Sequence, residues 1–109
     1  MARKRTFPLG AILTVLHKAH FTDEDDQVNE LLAFLIGSDV YLYMDCISMS
    51  AVVQESAALR QQLPKLYQAT RPPASFPSEM AAHAWVSQMA VQHGAFVEVE
   101  PTHPRRRRR

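Results

Sequence analysis

The sequence contains little cysteine and little glycine, and these absences exclude several classes of protein. Its single cysteine, Cys46, cannot form a disulfide within the chain and gives no sign of an oxidising compartment. The three glycines, Gly10, Gly37 and Gly94, lie far apart, so a glycine-rich phosphate-binding loop is missing and nucleotide enzymes are disfavoured. No apolar run reaches the roughly 20 residues that a membrane-spanning helix needs. We therefore expect a soluble, cytoplasmic protein with no membrane partner.

Charges of opposite sign occupy different parts of the chain. Basic runs at the two ends hold eight of the 12 Lys and Arg residues: Arg3, Lys4 and Arg5, and then Arg105, Arg106, Arg107, Arg108 and Arg109. Residues 6–104 keep the other four basic residues and all 11 acidic ones, a formal charge of −7. Because like-charge runs cannot pack into a core, we expect disordered basic arms at 1–6 and 102–109. A single domain then covers residues 7–101.

The spacing of apolar residues predicts four helices. Their ranges are 8–19, a second helix from Thr22 to Gly37, 48–63 and 78–93. Thr22 is a suitable N-cap, and Gly37 and Gly94 suit the left-handed position that ends a helix. The second helix has the widest apolar stripe, so we expect it to be the most buried. The proline-rich residues 68–77 predict an extended surface connection.

One strand completes the predicted fold. Residues 95–100 alternate apolar and polar side chains up to Pro101, which indicates a strand with one buried face. Its partner is open among Leu66–Thr70, the segment around Thr6 and a second copy of the chain. Residues 39–44 fit either a short strand or a helical turn capped by Asp39, and we expect the turn. The predicted fold class is α+β, mainly α: a compact bundle of about four helices with a short C-terminal β-strand.

No group of residues has the pattern of an active site. His17 and His20 lie three apart on the first helix, a spacing that can share a metal ion, but a zinc site needs further ligands at a recognisable spacing. Cys46 has apolar neighbours and no catalytic motif, so we expect a buried, inert thiol. Trp85 lies on the apolar stripe of the last helix, so we expect it to be a core residue, with a surface hot spot as the alternative. We predict no catalytic residue, no metal and no cofactor.

Three groups of residues are candidates for binding. The first is acidic, and it suits a helix N-terminus as well as a surface that presents negative charge to a partner: Asp23, Glu24, Asp25, Asp26 and Glu30. The second is Tyr41 with Tyr43, which would form a protein-binding edge if exposed, half-burial in the core being the alternative. The third is Arg105–Arg109, which can contact phosphates or carboxylates, or can be a solubilising tail without a partner.

Short motifs spread over residues 7–101 carry a family resemblance. They are Phe7–Leu13, Leu31–Asp39, Gln62–Leu66, and the Trp85 helix followed by Phe96–Pro101. On these residues the chain resembles a family of small uncharacterised proteins encoded by tailed phages and prophages. Members of that family typically carry Thr-Gly-Asp where this chain has Ile36-Gly37-Ser38, with Gln-Leu-Pro shortly after it; here Met44-Asp45-Cys46 stands instead. The resemblance implies an accessory protein without assigned catalysis, and it transfers no functional residue.

Composition, charge and resemblance together favour a nonenzymatic phage accessory protein. We expect it to bind a host protein or complex in the host cytosol, as an anti-CRISPR-like or other inhibitor of a defence system. An acidic, compact body can imitate nucleic acid toward a basic site, or block an interface. The alternative is a small nucleic-acid-associated factor that makes nonspecific contacts through its arginine tail. A homodimer remains open.

Overall fold

The computed structural model describes residues 4–19, 21 and 25–102. In this part of the chain the elements are β1 (Arg5–Pro8), α1 (Leu9–His17), α2 (Asp25–Ile36), a 3-10 helix (Asp39–Tyr43), α3 (Met49–Gln62), α4 (Pro64–Ala69), α5 (Glu79–His93) and β2 (Phe96–Val99). The predicted fold class, mainly α with a short C-terminal strand, is confirmed. None of these helices combines the length and apolar character needed to cross a membrane.

Capping residues set the helix ends close to where the sequence predicted them. The hydroxyls of Ser48 and Ser78 each accept a backbone N–H three residues later, at the starts of α3 and α5. Gly37 has a φ of +81° and ends α2, and its N–H donates to the Ala33 carbonyl at 2.8 Å. Lys18, also left-handed, ends α1. The cap predicted at Thr22 lies outside the described residues.

The two strands pair with each other in an antiparallel ribbon, with Phe7 opposite Val97. Of the three candidate partners for the C-terminal strand, the segment around Thr6 is therefore the right one. β1 begins at Arg5, inside the segment that the sequence assigned to a basic arm, because alternation leaves Arg5 exposed and buries Phe7. The candidate Leu66–Thr70 was wrong: Pro64 starts a new helix there, at the position where a missing N–H costs nothing.

The centre of the core is α1. Every residue from Ala11 to Leu16 is 0% exposed, since α1 packs against α2, α3 and α5 and against the ribbon. The expectation that the second helix would be the most buried was wrong. A helix enclosed on several sides is buried around most of its circumference, so the width of an apolar stripe did not reveal that α1 is more buried than α2. The one polar residue in this stretch, Thr14, donates its hydroxyl to the Gly10 carbonyl at 2.8 Å.

The connection between α4 and α5 is irregular from Thr70 onward, as predicted, but Gln68 and Ala69, which were assigned to it, belong to α4. Aromatic packing fixes the connection to the body. Phe76 lies 6.0 Å from Phe21 and 5.8 Å from Trp85, measured between ring centroids. Trp85 in turn lies 5.2 Å from Phe21; the sequence predicted a core residue, and the structure shows a half-buried one that packs against the core. These contacts attach α5 to the end of α1.

The chain after β2 also packs on the body. The N–H and hydroxyl of Thr102 both reach the Leu35 carbonyl, at 3.0 Å each. The same hydroxyl contacts the carboxyl group of Glu55, which is buried. Thr102 had been assigned to the basic tail, but its short polar side chain joins α2 to α3. Sequence reasoning did not single out Glu55.

Candidate functional site

The 3-10 helix presents a group of apolar side chains to solvent. Val40, Leu42, Tyr43 and Met44 are 56%, 47%, 83% and 39% exposed, and we call this group the 3-10 surface. A 3-10 helix has three residues per turn, so Val40 and Tyr43 lie one above the other on the same side. Exposed apolar side chains that adjoin one another mark interaction sites more often than isolated ones do.

The start of this segment is fixed by a cap and by the core. Ser38 accepts the N–H of Val40 at 3.5 Å, whereas the sequence had predicted Asp39 as the cap; the extended backbone of Ser38 is what lets its hydroxyl reach forward. The predicted helical turn itself is confirmed. Tyr41 packs against the core and Tyr43 points away from it. Half-burial is thus correct for Tyr41, and an exposed edge is correct for Tyr43.

Asn29 holds the other end of the segment. Its side-chain amide donates to the carbonyls of Met44, at 3.4 Å, and Cys46, at 3.3 Å. Asn29 is 2% exposed, and its own Oδ1 has no hydrogen-bond partner within the part of the chain described. Sequence reasoning missed this residue. The feature that could have revealed it is a polar side chain among the apolar positions of α2.

Cys46 is exposed, so the prediction of a buried thiol was wrong. The cause is the path of the chain from Met44 to Cys46, which runs along the outside of α2 with its carbonyls turned toward Asn29. The apolar neighbours in sequence therefore do not cover the sulfur.

The acidic candidates have different environments. Asp23 and Glu24 lie outside the described residues, while Asp25 is half-buried and Asp26 is exposed at the start of α2. Glu30 accepts a hydrogen bond from the Arg5 guanidinium at 3.5 Å. A neighbouring pair joins Lys4 to Glu100 at 4.0 Å. Two members of the N-terminal basic run thus contact carboxylates of the protein itself, although such exposed pairs stabilise little.

The 3-10 surface lies in a strongly acidic stretch of the chain. Residues 19–59 contain eight Asp and Glu residues and no Lys or Arg. Asp39 is the first residue of the 3-10 helix, Asp45 follows the helix, and both are exposed. An apolar surface bordered by carboxylates attracts a partner with basic side chains around an apolar pocket.

His17 is enclosed at the other end of the body. Its Nε2 lies 3.0 Å from the Thr70 hydroxyl, which itself donates to the Leu66 carbonyl at 2.6 Å. The hydroxyl proton is therefore used, so Nε2 of a neutral imidazole must be the donor. The ring stacks on Tyr67 with centroids 5.0 Å apart. Burial, then the charges of Arg71 and Arg60, lower the pKa of His17 from 6.5 to about 4.

Two arginines accompany this histidine. The guanidinium carbon of Arg60 lies 4.8 Å from the Tyr67 ring centroid, and that of Arg71 lies 5.8 Å from it. Arg60 also donates to the Ser56 hydroxyl at 3.4 Å. Across the described ranges, neither arginine forms an ion pair with a carboxylate. Two of the few basic side chains of the body thus lie against an aromatic ring with no carboxylate partner among residues 4–19, 21 and 25–102.

The remaining candidates are two histidines and the arginine tail. His20 and Arg105–Arg109 lie outside the described residues. His17 is engaged by Tyr67 and Thr70 rather than by a metal-ligand set. Over residues 4–19, 21 and 25–102, no three His, Cys, Asp or Glu side chains are grouped as metal ligands.

Comparison with known proteins adds no relative. No family model, no curated protein and no solved structure matches this chain. The functional interpretation therefore depends on the residues and their geometry.

Proposed function

We propose that this protein acts without catalysis, by binding another protein through the 3-10 surface. The observation that carries the proposal is Tyr43, a large aromatic side chain that is 83% exposed on a segment fixed at both ends. Tyrosine supplies a large, amphipathic contact area at a low cost in conformational entropy, and it is enriched among the residues that dominate binding energy.

The fixed backbone strengthens this interpretation. Gly37 and Ser38 define where the 3-10 helix begins, Tyr41 ties its middle to the core, and Asn29 holds the residues that follow it. A surface ordered before binding does not lose that conformational entropy on association. An exposed loop without such contacts would have to be ordered by its partner.

The charge around the surface indicates the chemistry of the partner. The exposed carboxylates of Asp39 and Asp45 beside the 3-10 surface favour a partner whose apolar pocket is bordered by basic side chains. Following the resemblance to phage accessory proteins, we propose a host protein or complex as that partner, and inhibition of a host defence system as the outcome. A basic site that normally holds nucleic acid fits this description, because an acidic body competes for it.

The test is affinity capture from bacterial host lysate at physiological salt, followed by mass spectrometry. The bait is the full chain as wild type, as Tyr43→Ser, and as Met80→Ser, a matched control that removes another apolar side chain, 80% exposed on α5. The proposal expects a partner that wild type and Met80→Ser retain and Tyr43→Ser loses. It fails if no partner is recovered, or if all three baits recover the same partner equally.

A second candidate function, contact with nucleic acid, is favoured by Arg60 and Arg71. Their guanidiniums, which have no carboxylate partner in the described ranges, would act together with Arg105–Arg109 on a phosphate backbone. This function predicts DNA or RNA binding that falls steeply with salt. Removal of Arg105–Arg109 should weaken it, and Arg60→Gln with Arg71→Gln should weaken it further. Binding that is insensitive to both changes rules this candidate out.

A further inference from the structure

We propose that the outer edge of β2 accepts an extended peptide segment of a partner protein as a third strand, in the groove between β2 and α4. The site is separate from the 3-10 surface, and neither proposal depends on the other. Strand addition of this kind needs an edge with unpaired backbone groups, a groove beside it and a wall that contacts alternate side chains of the peptide. β2 and α4 provide all three.

The register of the ribbon shows which backbone groups of β2 face outward. The Leu9 N–H donates to the Ala95 carbonyl at 2.8 Å, in the register that places Phe7 opposite Val97. Residue pairs in an antiparallel ladder alternate between those that exchange hydrogen bonds and those that do not. The backbone of Val97 therefore faces β1, and the N–H and carbonyl groups of Phe96 and Glu98 face away from it.

Gln62 confirms this assignment at the next outward position. Its side-chain amide donates to the Glu100 carbonyl at 2.6 Å and accepts the Glu100 N–H at 3.0 Å. These are the two bonds that a residue of a neighbouring strand would make. Gln62 thus occupies the edge at Glu100, while the outward groups of Phe96 and Glu98 have no hydrogen-bond partner within the described chain.

The other edge of the ribbon is poorly suited to pairing. By the same alternation, Thr6 and Pro8 face outward from β1, and Pro8 has no N–H to offer. Proline and charged side chains at an edge are a common protection against strand addition. β2 has no proline in Phe96–Val99, and its one charged side chain is Glu98, which a basic residue of the peptide neutralises. The asymmetry makes β2 the edge that is open to a partner.

The groove beside β2 has the walls that a peptide needs. Its volume is about 450 Å³, with Leu63 and Leu66 on the α4 side and Phe96, Val97 and Glu98 on the strand side. Phe96 is 65% exposed. The peptide residue opposite Val97 would contact Leu63 and Leu66, so it is apolar. The residue opposite Glu98 faces a carboxylate and is therefore basic, and the residue opposite Phe96 is aromatic or β-branched.

The probe is the peptide Ac-Ser-Arg-Val-Tyr-Ser-NH2, whose central residues would lie opposite Glu98, Val97 and Phe96 in antiparallel order. We expect millimolar to submillimolar binding, with the largest amide shifts in a 15N NMR titration at Phe96 and Glu98. Methylation of the Arg and Tyr amides, which would pair with the strand, should abolish these shifts. Methylation of the Val amide, which would face away, is the matched control and should preserve them.

A variant tests the same geometry from the side of the protein. Glu98→Pro removes an N–H that does not serve the β1–β2 ladder, so it should weaken peptide binding about tenfold or more, whereas Glu98→Ser should retain most of it. Protection of the Val97 and Val99 amides from hydrogen exchange reports whether the variant keeps its ribbon. If the variant loses the ribbon, the methylated peptides still test the proposal on the wild-type protein. Equal binding of both methylated peptides, or no shift at Phe96 and Glu98, overturns the proposal. So does concentration-dependent self-association through these amides, which would make a second copy the occupant.

Discussion

The side-chain amide of Gln62 pairs with both backbone groups of Glu100, at 2.6 Å and 3.0 Å. This contact joins the last residue of α3 to the chain immediately after β2. It satisfies two backbone groups that would otherwise need water or another strand. It also places the end of the ribbon relative to α4, whose first residue, Pro64, follows shortly after Gln62.

Replacing Gln62 by alanine should therefore destabilise the protein. The loss of two hydrogen bonds to a partly buried backbone is expected to lower the free energy of unfolding by about 1 to 2 kcal/mol. Urea denaturation measures this change, and hydrogen exchange should show faster exchange at the Glu100 amide. Gln61→Ala is the matched control, because Gln61 is exposed on the same turn of α3. Equal unfolding free energies for the two variants would contradict the role given to Gln62.

His17 should make stability depend on pH. The pKa of His17 is lowered to about 4 by burial and by Arg71 and Arg60, against about 6.5 in the unfolded chain. Between these values the unfolded state binds more protons, so stability rises with pH across the window from 4 to 6.5 and is lost as the pH falls through it. Because the ring is partly accessible, we expect a contribution of about 1 to 2 kcal/mol.

The measurement for His17 combines NMR titration of its imidazole with urea denaturation at pH 7 and pH 4.5. His17→Gln keeps a donor for Thr70 but does not titrate, so its stability should fall less than that of wild type between the two pH values. The difference between the two proteins isolates His17 from the carboxylates. An imidazole that titrates near 6.5 in the folded protein would show that the enclosure by Tyr67 and Thr70 is wrong.

Asn29 should control the order of the 3-10 surface. Asn29→Ala removes the donors to the Met44 and Cys46 carbonyls, and we expect a loss of about 1 to 2 kcal/mol in the free energy of unfolding. Amide exchange should accelerate over residues 41–46, and affinity for the partner should fall although Tyr43 is unchanged. Asn29→Asp, which turns a carboxylate toward the two carbonyls, should be worse. Unchanged exchange over 41–46 in both variants would mean that Asn29 does not hold the segment.

Local signals made most of the fold predictable. Helix caps and stops depend on residues within one or two turns, so Ser48, Ser78 and Gly37 marked the helix ends correctly. The helix α4 was not predicted, although Pro64 directly follows the predicted end of the third helix and proline suits the first position of a new one. Formation of α4 depends on the packing of Leu66 and Tyr67 against the core, which no local pattern reveals.

The candidate site was predictable only in part, because its environment is made by distant residues. The sequence indicated Tyr41 and Tyr43 but could not tell which of them would face the core. The role of Asn29 depends on the carbonyls of Met44 and Cys46, which lie in the segment between α2 and α3. His17 was singled out with His20, whereas its ring contacts come from α4, far along the chain.

The most direct test of the central claim is the affinity of the purified captured partner for three forms of the full chain. By calorimetry, Tyr43→Ser should weaken binding at least about 30-fold, the effect of losing a dominant interface tyrosine. Met80→Ser should stay within about twofold of wild type, and all three proteins should unfold within about 0.5 kcal/mol of each other. If Tyr43→Ser binds the partner as tightly as Met80→Ser does, the 3-10 surface is not the binding site.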